Sequence, residues 1–351
     1  MSNSGALQYS QEVINRVSFL RKDTQFIEEA LSHQEARFIP FDSYYPFIDE
    51  NGRILRMYRG ELEETIRESI ASENLVFLGL LLGANSSFSY RSKYKGTPMF
   101  ALDVTSKPSA LTCISKQAAY KKAESFRDFN RLSVEESSIV SHARMYLQWL
   151  HTHRFCSICG SRNNVVFAGS QLQCSNTECV SNKSVSNVCF PRTDAVAISA
   201  VTNRDFSKVL VCKSGAPRNK ERKLFSCVSG FVEPSETIEV AVAREVWEET
   251  GLHVKHVEVL MSQPWPFPNN LMIGCVAIAD ENEPTDLTHD CELDEVRWVP
   301  SSTLKRLLNT PESISGFIQD EQTGLNLPNK KTIAHMLMET VVNRYDNHSS
   351  E

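Results

Sequence analysis

The sequence predicts a mixed α/β protein in which a small cysteine-rich module separates two α/β regions. Three observations carry this prediction. From Phe190 to about Val342, short strand patterns alternate with two helix patterns. From residue 13 to about residue 130, strand and helix patterns are also mixed. Between the two regions lie four cysteines that form two close pairs.

Composition places the chain among ordinary globular proteins. Its 351 residues are enough for two to three domains, each with its own core. The hydrophobic fraction of 41% and the charged fraction of 23% are average values for such proteins. A net charge of -6 argues against a broad basic face for nucleic acids. The longest strongly apolar run, Leu75 to Leu82, is far shorter than the ~20 residues that a membrane span needs.

The amino-terminal third contains no chemical motif that spacing alone can interpret. Residues 1–12 are expected to form a disordered tail, and residues 13–130 a folded amino-terminal domain. Within this domain, the apolar run that begins at Leu75 is followed by a turn-like Gly-Ala-Asn-Ser-Ser and then by Phe88-Ser-Tyr. This succession predicts a β-hairpin.

A helix over residues 131–153 is expected to connect the amino-terminal domain to the cysteine module. Ser133 and Glu136 form the capping-box pattern that begins many helices. Apolar residues then recur at helical spacing, namely Ile139, Ala143, Tyr146, Leu147 and Leu150. A contact with a second copy of the chain is another role that this helix could have.

Residues 154–189 contain two cysteine pairs at the spacing of a zinc ribbon. Cys156 and Cys159 enclose two residues, and Cys174 and Cys179 follow after fourteen more. Two disulfides or free buried thiols are the alternatives. The start of the chain lacks a signal-peptide pattern and six other cysteines are scattered, which fits a reducing compartment and favours zinc. Because four thiolates leave no position for water, the Zn2+ site is predicted to be structural.

Residues 190–345 are expected to form the second α/β domain, with 346–351 as a disordered tail. Val196–Val201 and Val209–Cys212 flank a short polar segment, a pattern that predicts a hairpin. An acidic helix and a late helix should cover the two faces of a mixed sheet. Further strands are predicted at 254–260, 272–279 and 296–299, and the late helix at 331–342.

The most informative segment is residues 230–252, which read GFVEPSETIEVAVAREVWEETGL. On a helix, Glu245, Glu248 and Glu249 fall within about one third of the circumference, where like-charge pairs cost roughly 0.2–0.5 kcal/mol each. A solvated acidic face is one ordinary explanation. A helix in which Arg244 simply pairs with neighbouring acids is another.

Neither explanation accounts for the whole pattern. It places Glu236 near the helix start and Gly251 at the C-cap, and it spaces Gly230, Glu236 and the Arg-Glu-apolar-any-Glu-Glu-any-Gly run in a fixed way. This pattern resembles the signature of the Nudix hydrolases, and every fixed position is filled. The resemblance implies a Nudix α/β/α sandwich for the second domain, preceded by a zinc ribbon and a degenerate Nudix-like amino-terminal domain.

The resemblance also assigns roles to acidic residues. Glu245, Glu248 and Glu249 are expected to be catalytic and to bind Mg2+ or Mn2+, with Glu249 organising the nucleophilic water. Further metal ligands are expected at the backbone carbonyl of Ser229 and at Glu292. Oxygen ligands suit such cations, which neutralise charge that develops on phosphorus oxygens and lower the pKa of a bound water.

A second motif lies downstream, between Ser262 and Met272. Three prolines within five residues exclude a helix and a central strand, so a stiff loop that displays Trp265 and Phe267 is predicted. An ordinary hydrophobic loop packed on the core is the alternative, and a platform for stacking a flat ring is the functional interpretation. The run SQPWPFP after a Nudix pattern resembles the marker of the NADH pyrophosphatase branch.

This second resemblance implies a set of substrate contacts. Members of the branch bind a dinucleotide through the aromatic loop and through positions on neighbouring segments. In this sequence the corresponding residues are Arg127, Phe190, Gln263, Pro264, Trp265, Pro266, Phe267, Pro268, Asn269, Asn270 and Ala334.

The expected activity is hydrolysis of NADH, and of NAD+, to NMNH or NMN and AMP. The resemblance further implies a homodimer and the removal of NAD caps from RNA. Another Nudix substrate, such as ADP-ribose or a diadenosine polyphosphate, is one alternative. A catalytically idle zinc-ribbon adaptor that binds nucleotides or RNA is another. The ending Ser-Ser-Glu differs from SKL-type peroxisomal signals, which favours a cytoplasmic location over a peroxisomal one.

Overall fold

The structure is a computed structural model that describes residues 7–71, 74–83, 86–183, 190–216, 219, 223–311 and 317–348. Contacts divide the chain into two compact units. The amino-terminal unit comprises Gln11–Thr193 and Pro266–Asn269, and the carboxy-terminal unit comprises Met1–Ser10, Asp194–Trp265 and Asn270–Glu351. None of the helices in these described ranges is both long enough and apolar enough to cross a membrane.

The helices and strands are numbered in chain order. The helices are α1 Thr24–Ser32, α2 Glu63–Ala71, α3 Pro108–Ser115, α4 Phe126–Arg131, α5 Val134–Thr152, α6 Ile238–Thr250, α7 Ser301–Leu308 and α8 Ile333–His348. The strands of the amino-terminal unit are β1 Ile14–Asn15, β2 Arg37–Asp42, β3 Tyr45–Ile48, β4 Met57–Tyr58, β5 Leu75–Leu81, β6 Ser89–Tyr90, β7 Tyr94–Lys95, β8 Thr97–Asp103, β9 Lys121–Lys122, β10 Asn163–Val166 and β11 Gln171–Cys174. The strands of the carboxy-terminal unit are β12 Asp194–Thr202, β13 Lys208–Ser214, β14 Phe225–Ser226, β15 Val228–Phe231, β16 His256–Trp265, β17 Asn270–Ile278, β18 Leu293–Pro300, β19 Ile318–Asp320 and β20 Leu325–Leu327.

The amino-terminal unit is built on a mixed sheet. Its strand order is β1-β5-β8-β2-β3-β9, with β4 also paired to β2 and with β2 parallel to β8. One face packs against α1 and α3 through residues such as Phe26 and Ala110. The other face packs against α5, where Ile139, Ala143 and Leu147 are buried at the predicted helical spacing. The capping pattern is confirmed, because the Ser133 side chain accepts a hydrogen bond from the backbone N–H of Glu136.

The hairpin predicted to begin at Leu75 is wrong. β5 pairs with β8 and β1. The segment that begins at Phe88 instead contributes β6, which pairs with β7 across the short turn that follows it. β5 has five consecutive buried residues and lies inside its sheet, between β1 and β8. The turn-type residues after β5 correctly indicated where this strand ends, but they did not indicate which strand pairs with it.

The carboxy-terminal unit confirms the predicted α/β/α sandwich. Its sheet has the order β14-β13-β12-β17-β16, with β15 added on β12 and β18 on β13. On β12, Ala197 lies in the core beneath α6, and its neighbour Ile198 lies in the core beneath α7 and α8. This alternation gives the sheet two apolar faces, each of which a helix covers. The predicted β12–β13 hairpin is present.

Residues 7–10 correct the predicted amino-terminal tail. Leu7, Gln8 and Tyr9 are buried, with exposed fractions of 0%, 2% and 3%. The backbone N–H of Gln8 donates to the carbonyl of Lys331 at 3.1 Å. The predicted carboxy-terminal tail also starts too early, because α8 continues to His348. Near the amino terminus, the buried apolar residues Leu7 and Tyr9 lie among polar residues, so the sequence there resembles a polar tail.

The proline-rich segment also differs from the prediction. Gln263, Pro264 and Trp265 belong to β16, and Asn270 begins β17, so the turn between these strands is residues 266–269. β16 is at the edge of its sheet. An edge strand tolerates proline because the missing N–H costs no ladder hydrogen bond. The prolines therefore excluded a central strand but not this one.

Candidate active site

The acidic helix α6 begins and ends at the residues that the sequence indicates. At its start, the Thr237 side chain accepts a hydrogen bond from the backbone N–H of Val240 at 3.3 Å. At its end, Gly251 adopts a φ of 76° and donates its N–H to the carbonyl of Trp247 at 2.8 Å. This left-handed C-cap suits glycine. The buried face of α6, with Ala241, Val242 and others, fixes how the helix is rotated on the sheet.

Gly230 on β15 lies directly against the Glu245 carboxylate. A Cβ at residue 230 would lie 1.9 Å from Cδ of Glu245 and 2.1 Å from each of its carboxylate oxygens. A side chain at residue 230 would therefore have to displace the Glu245 carboxylate. This contact explains why glycine begins the acidic pattern, and it brings the backbone of β15 next to the first glutamate.

Arg244 links the acids around the helix. Its guanidinium donates to both carboxylate oxygens of Glu236, at 2.7 and 3.0 Å, and also to Glu245 at 2.8 Å and Glu248 at 2.9 Å. A further N–H donates to the carbonyl of Phe231 at 2.8 Å. The ordinary explanation that this arginine pairs with neighbouring acids is thus correct as far as it goes. It leaves Glu249 out.

Glu249 is a buried carboxyl whose charged neighbours are acidic. It is 5% exposed, and its side chain has no hydrogen bond to another described residue. Burial, followed by the charges of Glu245, Glu292 and Asp290, raises the pKa of Glu249 to about 8. Burial also raises the pKa of Glu245, although Arg244 opposes this effect. Such a site fits a divalent cation, because a cation would stabilise the ionised carboxylates that their surroundings destabilise.

The structure brings Glu292 close enough to act electrostatically on both Glu245 and Glu249. Glu292 is exposed and precedes β18, and its carbonyl accepts a hydrogen bond from Gly215 N–H at 2.7 Å. Asp290, two residues earlier, also acts on Glu249, and the sequence interpretation missed it. A weak signal was available, because Asp290 lies in the same acidic stretch as Glu292.

The four predicted zinc ligands form a compact cluster. Their sulfur atoms all lie within 4.8 Å of one another, with Sγ–Sγ distances of 3.8 Å between Cys156 and Cys179 and 3.4 Å between Cys159 and Cys174. A tetrahedral site with Zn–S bonds of ~2.3 Å requires separations of about 3.8 Å. All four thiols are free, so the disulfide alternative is wrong.

The local backbone explains how these cysteines converge. Gly160, at φ 72°, turns the chain after Cys159, and its N–H donates to the carbonyl of Cys156 at 2.9 Å. Hydrogen bonds from Ser161 lower the pKa of the Cys159 thiol to about 6, which favours the thiolate. The antiparallel pair β10–β11 carries Cys174 at its end. Within the described ranges, no other cluster of at least three His, Cys, Asp or Glu residues has its ligand atoms this close.

Comparisons with known proteins agree with this geometry. A profile described as "NUDIX domain" matches residues 191–320, and one described as "NADH pyrophosphatase-like rudimentary NUDIX domain" matches residues 35–149. The chain is 37% identical to "NAD-capped RNA hydrolase NPY1" of Saccharomyces cerevisiae. The alignment is 374 residues long including gaps, and it covers 97% of this chain and 96% of the relative. The chain belongs to the Nudix hydrolase family.

Two more distant relatives share nearly the full length of this Nudix hydrolase. The "NAD-capped RNA hydrolase" of Schizosaccharomyces pombe is 27% identical, with 93% of this chain and 90% of the relative covered. The "NAD-capped RNA hydrolase NudC" of Mycobacterium bovis is 28% identical, with 94% and 95% covered. The residues that match the rudimentary Nudix profile and the four clustered cysteines both lie in the amino-terminal unit.

In this Nudix hydrolase, the side chain of Gln263 forms hydrogen bonds with three segments of the chain. Its side chain is fully buried, and its amide nitrogen donates to the carbonyls of Gln8 and Lys331 at 3.0 Å each. Its amide oxygen accepts the N–H of Ile333 at 2.8 Å. The side chain is therefore occupied in joining three chain segments. The expected substrate contact of Gln263 stays a prediction.

The tip of the proline-rich segment is anchored within the amino-terminal unit. Phe267 packs edge-on against Phe129 at 5.0 Å between ring centres, and the guanidinium of Arg144 lies 5.1 Å from its ring. Arg144 is 7% exposed, and it donates to the carbonyls of Pro266 at 2.8 Å and Tyr44 at 2.6 Å. Phe267 is thus partly buried instead of displayed, and Arg144 is a positioning residue that the sequence interpretation missed.

The other predicted contact residues are placed as follows. Phe190 is 46% exposed, and Arg127 is exposed on α4. Ala334 is 4% exposed near the start of α8. Pro264 and Trp265 are half-buried on β16, and Pro268 is exposed. Ser229 lies on β15 next to Gly230, so its carbonyl belongs to the strand that contacts Glu245.

Replacing Gly230 by Ala is expected to lower kcat/KM at least 100-fold. The added Cβ displaces the Glu245 carboxylate, and misplacement of a catalytic group by about 1 Å costs roughly 10²-fold in rate. Steady-state hydrolysis of NADH, the substrate expected from the sequence, is the measurement. Gly60→Ala is the matched control, because nothing lies within 4 Å of a Cβ at residue 60. Equal activities of the two variants would contradict the contact.

The raised pKa of Glu249 predicts a pH-dependent stability in protein freed of Mg2+ and Mn2+. Because the folded pKa is about 8 and the ordinary value 4.5, the folded state retains a proton that the unfolded chain releases. This contribution to stability is complete below pH 4.5 and is lost as the pH rises towards 8. We expect the Tm of the parent to fall between pH 5 and pH 8 relative to that of Glu249→Gln. Parallel pH profiles of the two proteins would show that Glu249 has an ordinary pKa.

Proposed function

We propose that this Nudix hydrolase is a Mg2+- or Mn2+-dependent diphosphatase that splits NADH, and NAD+, into NMNH or NMN and AMP, and that it removes NAD caps from RNA. The observation that carries the proposal is the buried carboxyl of Glu249 on α6 among other acids, one of which, Glu245, lies directly against Gly230 of β15. The substrate class is supported by the relatives, whose names describe NAD-capped RNA hydrolases.

The proposed roles follow from the site. The divalent cations would be held by Glu245, Glu248, Glu249, Glu292 and the carbonyl of Ser229. Such cations supply positive charge near the phosphate oxygens and lower the pKa of a bound water. Glu249 would organise the nucleophilic water, because a bound cation would favour the ionised form of this buried carboxyl, which its surroundings otherwise disfavour. Arg244 forms ion pairs with Glu236, Glu245 and Glu248, and these ion pairs hold the three carboxylates in place.

For the nucleotide, we propose contacts with Trp265, Asn269, Asn270 and Phe190. The Oδ1 atoms of Asn269 and Asn270 are buried and have no hydrogen-bond partner among the described residues. Buried acceptors of this kind are normally satisfied, and hydroxyl or amide donors of a nucleotide would satisfy them. Phe190 offers an exposed ring for stacking. Seven further contacts are proposed by resemblance alone, namely those of Arg127, Gln263, Pro264, Pro266, Phe267, Pro268 and Ala334.

We further propose that the cysteine cluster binds one structural Zn2+ per chain and that the enzyme acts as a homodimer. The domain limits at residues 13–130, 131–153, 154–189 and 190–345 and the cytoplasmic location stay predictions. Zinc is supported by the four converging thiols. Size measurements by light scattering would test the dimer, and a molecular mass of 39.6 kDa in solution would exclude it.

Product analysis tests the proposed function. NADH, NAD-capped RNA, ADP-ribose and a diadenosine polyphosphate are incubated separately with the protein and Mg2+, and the products are separated by chromatography. We expect NMNH and AMP from NADH, and NMN and a 5′-monophosphate RNA from the capped RNA. Preference for ADP-ribose or the diadenosine compound would identify a different Nudix substrate. The absence of any turnover would favour an idle nucleotide-binding adaptor.

A further inference from the structure

The amino-terminal unit contains a cleft of about 580 Å3 that the proposed chemistry does not use. Part of its lining comes from the turns after β2 and β8 in the rudimentary Nudix domain. The rest comes from Asn74 before β5, from the last two turns of α5 and from the cysteine module. The lining side chains with polar or aromatic chemistry include Tyr44, Asp103, Ser106, His151, Arg154 and Arg162.

Two guanidinium groups in this cleft lack an acidic partner. The side chain of Arg154 donates to the Nδ1 atom of His151 at 2.6 Å, and that of Arg162 has no hydrogen bond within the described part of the chain. Neither arginine forms an ion pair with a described carboxylate. Guanidinium groups are strong donors to phosphate oxygens and also stack on flat rings. The cleft is therefore a local basic site in a chain whose net charge is -6.

The remaining lining argues for more than a simple anion. Asp103 contributes a carboxylate, which repels phosphate but accepts hydrogen bonds from hydroxyl and amino groups. The half-buried ring of Tyr44 meets the ring of His151 edge-on at 5.6 Å, and Leu150 adds an apolar surface. The ligand that these groups suit has a phosphate, a sugar or base donor and a flat ring. A nucleotide has all three.

We infer that this cleft binds a nucleotide unit of the RNA chain of a capped substrate. The inference rests on the proposed removal of NAD caps. Single-stranded RNA is bound by basic grooves with aromatic and arginine stacking. The Asp103 carboxylate already accepts a hydrogen bond from the N–H of Thr105 at 2.9 Å, and its remaining acceptor sites can accept one from a 2′-hydroxyl. A volume of about 580 Å3 is within the range of small-molecule sites. Free NADH has no RNA chain, so its hydrolysis does not need this cleft.

The test compares RNA binding with NADH hydrolysis in Arg154→Gln, Arg162→Gln and the double variant. Binding of a fluorescent 12-nucleotide single-stranded RNA with a 5′-monophosphate is followed by anisotropy over a range of salt concentrations. We expect weaker binding, and a salt dependence of log Kd whose slope is smaller by about 0.7 for each phosphate that the variant no longer neutralises. The kcat/KM for NADH should be unchanged, and the kcat/KM for NAD-capped RNA should fall with the RNA affinity.

A matched control separates a specific site from general charge. Arg53→Gln removes the same charge from an exposed position of the same unit, outside the cleft. It should leave RNA binding unchanged. An equal decrease in this control, or unchanged binding in the double variant, would overturn the inference. Displacement of the RNA by an equal concentration of AMP would assign the cleft to free mononucleotides instead.

A second pair of variants changes the cleft away from the cysteines. Ser106 has a φ of 61°, a conformation that Asn and Asp tolerate better than other side chains. Ser106→Asp adds a negative charge to the cleft and should weaken RNA binding, while the nearly isosteric Ser106→Asn should not. Identical affinities of these two variants would contradict the inference. If the parent fails to hydrolyse NADH, the proposed function fails, but the anisotropy results still decide whether the cleft binds RNA.

Discussion

Replacing Glu249 by Gln is expected to lower kcat for NADH hydrolysis by about 10²–10⁴-fold, the range typical for removal of a general acid or base. The side chain keeps its size, so the buried environment at 5% exposure should stay intact. The variant lacks the carboxylate that is proposed to bind a divalent cation and to organise the nucleophilic water. Steady-state rates at saturating Mg2+ give the measurement.

Glu239→Gln is the matched control for this variant. Glu239 lies in the first turn of the same helix, is exposed, and is absent from the acidic cluster. It should retain nearly the full parental rate. Turnover of NADH by Glu249→Gln at the parental rate would remove Glu249 from the mechanism. If the Tm of Glu249→Gln at pH 5 equals that of the parent, its loss of activity is not caused by unfolding.

Replacing Cys156 by Ser is expected to remove zinc and to unfold the cysteine module. Cys156 is 2% exposed, and its Sγ lies 3.8 Å from that of Cys179, so it belongs to the centre of the cluster. Zinc binding contributes about 10–16 kcal/mol in zinc-finger peptides, and this binding energy is folding energy. Elemental analysis should give one zinc per parent chain and far less in the variant. Limited proteolysis should cut the variant between residues 154 and 183.

Cys113→Ser serves as the control for zinc. Cys113 is a partly buried free cysteine on α3, outside the cluster. This variant should keep one zinc per chain and resist the protease as the parent does. Absence of stoichiometric zinc from the purified parent would refute the zinc assignment itself. Retention of zinc by Cys156→Ser would show that three thiols suffice.

Local chemistry explains why much of the site was predictable from sequence. The cap at Gly251, the start of α6 and the cysteine spacing each depend on residues within a few positions, so their patterns are written in short segments. The Nudix pattern adds the position of Gly230. Its reason, the contact with Glu245, became visible only when β15 and α6 were packed together.

The features that the sequence did not predict involve contacts between distant parts of the chain. The side chains of Gln263 and Phe267 contact groups far away in the sequence, which residue type alone does not indicate. The same holds for β5, whose partner β8 follows after a separate small hairpin. Pro264 misled the interpretation because edge and central strands differ only in their neighbours. Residue type indicates what a side chain can bind, and tertiary packing decides what it does bind.

NADH turnover during a titration with Mg2+ tests the account most directly. Protein is first dialysed free of Mg2+ and Mn2+, with its zinc content measured before and after. The account predicts no turnover at the start, a saturable rise as Mg2+ is added, and equal amounts of NMNH and AMP. Full turnover by the dialysed protein before any Mg2+ is added would contradict a site in which acidic side chains hold divalent cations for diphosphate hydrolysis.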